Sequence, residues 1–201
     1  MRLARATPFA QGIDTVEPLT EESVAGLVAS GIVFAVRYLG SLTPSEVEII
    51  LSGGLALMPV TYADRFDGIA AARELRALQL PIGVTTWLDL EGTGSLEAPQ
   101  IITRVNDWVS GLAGAGEPGL YVGSDTKLSS GELYALRVVR YWHAASRVLD
   151  RSGALAEPSR GWCLRQLRPP NTIAAGIRVD RNVIEQDYFG GLPAWIVCDA
   201  P

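Results

Sequence analysis

From residue 12 to residue 124 the chain alternates, without interruption, between short apolar runs and amphipathic segments of helical period. "GIDTV" is followed by "LTEESVAGLVASG", where Leu19, Val24, Leu27 and Val28 recur at helical spacing and Thr20, Glu21 and Glu22 suit a helix start. "IVFAVRYL" has the β-branched and aromatic content of a buried strand. After it, "LTPSEVEIILSGG" offers Thr43 as N-cap, Pro44 at the first helical position, Glu46 at the capping-box position and a glycine stop. "LALMPVTY" and "GIAAARELRALQL" repeat the unit, as do "PIGVTTWLDL" and "APQIITRVNDWVSGLAGAG"; "GLYVGS" reads as a fifth strand.

Beyond Ser124 the alternation loosens. "SSGELYALR" reads as a short fifth helix, then "VRYWHAAS", "GWCLRQL" and "GIRVDRNVI" as three strands joined by loops rich in Gly, Pro and Asn. The total is about eight strands. Alternating units predict parallel strands with right-handed crossovers, and eight of them close into a barrel. The expected class is therefore α/β, a single TIM-like (β/α) barrel over residues 1–201, irregular and with fewer helices in the C-terminal third. An open doubly wound sheet is the alternative, and it leaves the final run of strands without an explanation. No linker or low-complexity segment divides the chain, whose length suits one domain.

Composition removes several classes of function. Lys and Arg are dispersed and the net charge is -5, which argues against a nucleic-acid partner, because displacing counterions from phosphates needs clustered cations. No segment has the length and apolarity to insert into a bilayer, and "MRLARATPFAQG" lacks the apolar stretch of a secretory signal. The expectation is a soluble protein; if it works outside a cell, something other than its own N-terminus delivers it. Cys163 and Cys198 lack CxxC spacing and His143 is the one histidine, so no zinc site of the usual kind is expected and both cysteines read as buried free thiols. His143 reads as structural, with no partner for a metal or a catalytic triad. "GLAGAGEPG" follows a helix instead of leading a strand into one with Lys-Ser/Thr, unlike a phosphate loop. Neither metal nor cofactor is expected.

In a parallel barrel the active site is built at the strand C-termini, and four acids fall there. Asp14 ends the first strand in "GIDT", Asp89 and Glu91 end the fourth in "WLDLEG", and Asp180 ends the last in "IRVDRN". Strand alternation puts Asp89 and Glu91 on one side with about 6.6 Å of rise between them, in phase with Trp87, while Leu88 and Leu90 face the helices. Glycoside cleavage commonly needs such a set: one carboxylic acid protonates the leaving oxygen and another carboxylate activates water or stabilises an oxocarbenium-like state. Crowding and partial burial raise the pKa of one member so that it keeps its proton near neutral pH. The bland alternative makes these acids helix caps or partners of Arg37 and Arg178. Tyr38, Tyr62, Tyr121 and Trp142 are candidate platforms for sugar rings, with Gln166 and Arg37 as hydroxyl partners; core packing is the competing reading of each aromatic. Trp87 reads as barrel filler beneath the acids, and Trp108 as a packed helix residue.

Together "GIDT", "LALMPVTYAD", "TTWLDLEG", "GLYVGS", "YWHAA", "LRQL" and "GIRVDRNV" resemble the motifs of the glycoside hydrolase-like domain family, a TIM-barrel relative of the glycoside hydrolase family 25 lysozymes. The resemblance covers nearly the whole chain. Its most specific part is the D-x-E pair on the fourth strand with an early "ID" and a late "VD". It implies Glu91 as proton donor to the glycosidic oxygen, Asp89 and Asp180 as groups that orient or stabilise the sugar, and Asp14 as support through hydrogen bonds. The implied substrate is peptidoglycan or another β-linked polysaccharide, and the implied associations are with bacterial cell-wall proteins or a phage lysin or tail. Two alternatives stay open: a noncatalytic carbohydrate-binding or structural module, and a barrel enzyme whose acids hold a divalent cation.

Overall fold

The computed structural model describes residues 1–64 and 66–199. Its strands are β1 (Arg2–Arg5), β2 (Gln11–Thr15), β3 (Phe34–Tyr38), β4 (Ala56–Tyr62), β5 (Val84–Asp89), β6 (Gly116–Val122), β7 (Arg140–His143), β8 (Leu164–Gln166), β9 (Thr172–Ala174), β10 (Ile177–Ile184) and β11 (Ala194–Val197). The α-helices are α1 (Glu21–Ala29), α2 (Pro44–Ser52), α3 (Gly68–Ala77), α4 (Ala98–Leu112) and the single-turn α5 (Ser130–Tyr134). They follow β2 to β6 in turn, so the alternation read from the sequence holds to that point.

Neighbours β2 to β8 pair in parallel around a ring, and β10 fills the last place between β8 and β2. The ring is closed, which removes the open-sheet alternative. It is also mixed: β10 runs antiparallel to both neighbours, which corrects the expectation of eight parallel strands. A parallel return needs a crossover of about a dozen residues or more. Residues 167–176 are too few, and they form β9, which folds back on β10 as an antiparallel pair. With no helix after β7 among the described residues, the regular (β/α) barrel gives way to an eight-strand ring with helices along one side of the circuit.

Three short strands were not legible in the sequence: β1, β9 and β11. Above Val60 and Trp87 the strands β4 and β5 are paired, and below that point they diverge. β11 occupies the gap, with Ile196 opposite Leu57 and the Ala194 N–H donating to Thr85 Oγ1 at 2.7 Å. β1 then pairs antiparallel along the outer edge of β11.

Two apolar layers result. Between ring and helices lie Leu88, Leu90, Ile101, Val105 and Trp108, so the leucines of "WLDL" face outward as their alternation requires. Inside the ring Phe34, Met58, Val60, Trp87 and Trp142 fill the section below the mouth, and Trp195 packs against Phe34 at the base with ring centroids 5.8 Å apart. A Cβ on Gly12 would lie 2.3 Å from the Phe34 ring, so only glycine lets that ring fill the barrel floor.

Thr43 caps α2 as its sequence predicts, accepting the Glu46 N–H. Glu46 itself does not close the expected capping box. Its carboxylate turns inward, accepts Arg37 Nε–H at 2.6 Å and accepts the Leu19 N–H at 2.9 Å. Arg37 is fully buried and also donates to the Thr15 carbonyl. Cys163 and Cys198 are both free; burial holds for Cys163 alone, whose thiol it pushes up to about 12, and Cys198 is exposed. Among the described residues no helix is long and apolar enough to cross a membrane.

Candidate active site

Asp14 lies near the end of β2, Asp89 closes β5, and Glu91 follows in the turn. Asp180 stands in the first half of β10 and not at its end, a correction that follows from the reversed direction of that strand. Because β10 starts where its neighbours finish, its first half sits at the mouth, and Asp180 is the register partner of Asp14. All four acids line one cavity of about 330 Å³, together with Tyr38, Tyr121, Trp142 and Gln166. Among the described residues none of the four forms an ion pair with Lys or Arg. Ordinary charge pairing therefore does not account for their convergence.

Each acid has a distinct set of neighbours. Asp89 accepts from the Glu91 N–H through Oδ1 at 3.0 Å and from the Tyr38 hydroxyl through Oδ2 at 2.9 Å. Asp14 accepts from Asn182 Nδ2 at 2.6 Å, and Asn182 Oδ1 accepts the Trp142 indole N–H at 2.9 Å. Asp180 accepts Gln166 Nε2 at 2.7 Å and also the Asn171 N–H. Glu91 Oε1 meets the Tyr121 hydroxyl at 3.0 Å.

Burial, followed by the proximity of other carboxylates, shifts two of these groups. Asp14 is raised well above its ordinary range by desolvation, opposed by its bond from Asn182 and reinforced by Asp180, Asp89 and Glu91. Asp89 is raised from 3.8 to about 6, again chiefly by desolvation, against the bonds from the Glu91 N–H and Tyr38. A carboxyl with a raised folded pKa binds more protons in the native than in the unfolded state, so stability falls as pH rises through the interval between the two values. For Asp89 that interval runs from 3.8 to about 6 and is worth roughly 3 kcal/mol; Asp14 acts in the same direction. Thermal denaturation across this range should show stability declining with pH. The decline should flatten in Asp89→Asn, and a slope unchanged by that substitution contradicts the assignment.

The remaining candidates divide. Tyr38 and Tyr121 reach the acids, and burial beside those carboxylates holds both phenols in the protonated, donating form. Tyr62 is 49% exposed at the rim and stacks on Tyr38 with centroids 4.2 Å apart. Trp142 is only 2% exposed, so its indole closes the cavity floor and is no open sugar platform; it meets Tyr121 edge-on at 4.7 Å. Arg37 does not join the site at all. It occupies the odd position between Val36 and Tyr38, whose side chains turn inward, and therefore points outward to α2. His143 packs edge-on against Trp162, away from these groups.

Sequence reasoning missed Asn182, although the two-residue alternation that pairs Asp89 with Glu91 equally pairs Asp180 with Asn182. It also missed Asp125, whose carboxylate accepts the Gly92 N–H at 2.9 Å and so fixes the turn carrying Glu91. No local signal marks that loop residue. Gly123 makes room for the acid: a Cβ there would lie 2.6 Å from Glu91 Cγ. Gly123→Ala should move the Glu91 carboxyl with little loss of stability, read by a crystal structure of the variant beside a melting curve.

Two further hollows adjoin the central cavity. One of about 460 Å³ shares Tyr38 with it, the other of about 470 Å³ shares Glu91, and both include Tyr62. Among the described residues no group of three or more His, Cys, Asp or Glu is placed to hold a metal ion.

Comparison with known proteins is informative at the level of structure. No family model and no curated protein matches the sequence. An uncharacterized protein from B. stearothermophilus matches with a TM-score of 0.66 at 21% identity, over 88% of this chain and 96% of that one. The bacterial lysozyme from Streptomyces coelicolor matches at 0.61 and 16% identity, over 92% and 95%. A muramidase from Acremonium alcalophilum matches at 0.60 and 16%, over 90% and 95%. The chain shares the barrel fold of these proteins. In it β10 is antiparallel to both neighbours and β11 seals the base. The cavity of four acids lies at the end of the ring where the parallel strands finish.

Proposed function

We infer that the protein is a glycoside hydrolase that cleaves β-linked cell-wall polysaccharide, peptidoglycan foremost, by general acid catalysis. The observation that carries this reading is the convergence of Asp14, Asp89, Glu91 and Asp180 on one cavity without a cationic partner among the described residues. Three hollows joined through Tyr38, Tyr62 and Glu91 give a polymer room on either side of the acids. Likeness to a lysozyme and to muramidases supports the substrate class.

In this reading Glu91 protonates the glycosidic oxygen as the bond to the sugar breaks. Asp89, held by the Tyr38 hydroxyl and the Glu91 N–H, faces the positive charge that develops on the ring. Asp180 orients the sugar, and Asp14 supports the cluster through Asn182. Tyr62 offers an exposed aromatic edge to the apolar face of a neighbouring residue of the polymer.

The test is digestion of purified cell-wall material by the wild-type chain in the presence of a chelator, scored for loss of turbidity and for new reducing ends. Both are expected. Binding to the wall without new reducing ends favours a noncatalytic module, and activity that disappears with chelator favours a cation-dependent reaction.

A further inference from the structure

The acids of the cavity differ in how many of their oxygens are already committed. Asp89 has a donor on each, the Glu91 N–H on Oδ1 and the Tyr38 hydroxyl on Oδ2. Asp180 is held in the same way, by the Asn171 N–H on Oδ1 and Gln166 Nε2 on Oδ2. Asp14 has one donor among the described residues, Asn182 Nδ2, which meets Oδ2 at 2.6 Å. Its Oδ1 has no partner there and yet is not shut away: among the described residues the buried side-chain nitrogens and oxygens without a partner are the indole nitrogens of Trp87 and Trp108. Oδ1 therefore opens on the cavity that Asp14 lines. The Asn182 amide, for its part, has one orientation that suits its surroundings. An indole nitrogen can only donate, so the Trp142 N–H at 2.9 Å requires the amide oxygen on its side. The amide nitrogen then faces Asp14 and also the Asp180 carbonyl, an acceptor at 3.2 Å. Asn182 and Trp142 are both buried, so neither turns to solvent for a partner.

We propose that Asn182, anchored by the Trp142 indole, is a positioning residue that fixes Oδ2 of Asp14 against the cavity floor and leaves Oδ1 as the oxygen turned to the bound polymer. It rests on the reading of this cavity as the place where a sugar chain binds. It also gives the Trp142 indole a task beyond packing: a phenyl ring could close the floor but could not hold the amide. The other titratable groups around Asp14 are Asp180 from β10, Asp89 from β5, Glu91 just beyond it, and the phenols of Tyr38, Tyr62 and Tyr121 from β3, β4 and β6. Arg37 reaches β2 from the outer side, at the Thr15 carbonyl. Among the described residues none of these bonds to the Asp14 carboxyl, so the donor from Asn182 is what opposes the desolvation and repulsion acting on that group.

Asn182→Leu keeps the size of the side chain and removes the donor. The carboxyl-carbon resonance of Asp14, identified in 13C-aspartate-labelled full-length protein by its absence from Asp14→Asn, should then titrate about one pH unit higher than in the wild type, because the ionised form loses the hydrogen bond from Asn182. A midpoint that stays where it was overturns the proposal. So does one that falls, the sign of an amide oxygen that had been facing a protonated Asp14. If Asn182→Leu does not fold, the wild type decides. Its Asn182 side-chain amide, recognised by contact with the Trp142 indole N–H, should shift with the midpoint of Asp14, and an amide that stays put through that titration overturns the proposal as well. Neither measurement needs turnover. These shifts in a chain that cuts no glycan would sink the functional reading and leave the Asn182 anchor standing; glycan cleavage beside an unmoved Asp14 midpoint would do the reverse.

Discussion

Glu91→Gln should reduce the release of reducing ends from peptidoglycan by roughly 10²- to 10⁴-fold, the usual contribution of a positioned general acid. The amide matches the carboxyl in size and keeps a group that Tyr121 can bond, so the melting temperature should stay within a few degrees of the wild type. The loss should appear in kcat while KM changes little, because a proton given in the transition state contributes nothing to ground-state binding. Steady-state kinetics on a soluble β-linked oligosaccharide separates the two constants. Equal activity in Glu91→Gln removes the assignment; equal loss in a variant that no longer folds does not support it, which is why the melting curve accompanies the assay.

The second large effect is on stability and lies outside the cavity. Arg37 and Glu46 form a buried pair, with side chains 0% and 6% exposed, that also holds the Thr15 carbonyl and the Leu19 N–H. Arg37→Met leaves the Glu46 carboxylate buried without its cation, a change that costs about 3–5 kcal/mol. In a domain of this size each kcal/mol lowers Tm by about 2–4 °C, so the melt should fall by about 10 °C. Adding Glu46→Leu should recover much of the loss, since replacing both members of a buried pair by apolar groups is often near neutral. A single variant that melts with the wild type would show the pair to be dispensable. The Thr15 carbonyl adjoins Asp14, so the same single variant should also loosen the end of β2 and raise the amide-exchange rate of that segment.

What the sequence disclosed depended on periodicity. The units from "GIDTV" to "GLYVGS" announce themselves because each helix has a cap and each strand a buried apolar run, signals local to a few residues. Alternation placed Asp89 on the inner side of β5 with Leu88 outside, and carried past the strand end it also put Leu90 outward and Glu91, in the turn, at the cavity. It could not give the direction of β10, which depends on how many residues lie between β8 and β10, nor the use of β11 as a wedge, which depends on where β4 and β5 part company. Arg37 was misplaced for a related reason: a residue next to Tyr38 near a strand end was grouped with the mouth, although neighbouring residues on a strand face opposite sides. Burial raises Asp14 and Asp89, the two acids that lie deeper in the ring, and depth within the ring is not legible from alternation. Tyr121 and Gln166 come from β6 and β8, and no local motif encodes their meeting beside Glu91.

A crystal structure of Glu91→Gln grown with a β-1,4-linked N-acetylglucosamine oligomer is the most direct measurement. The glycosidic oxygen of one linkage is predicted within hydrogen-bond reach of the residue 91 amide, with Asp89 beneath the adjoining ring and the oligomer running past Tyr62. An oligomer seated elsewhere on the barrel, or lying in the cavity with every glycosidic oxygen remote from residue 91, would contradict the claim that these acids were brought together to cut a sugar chain.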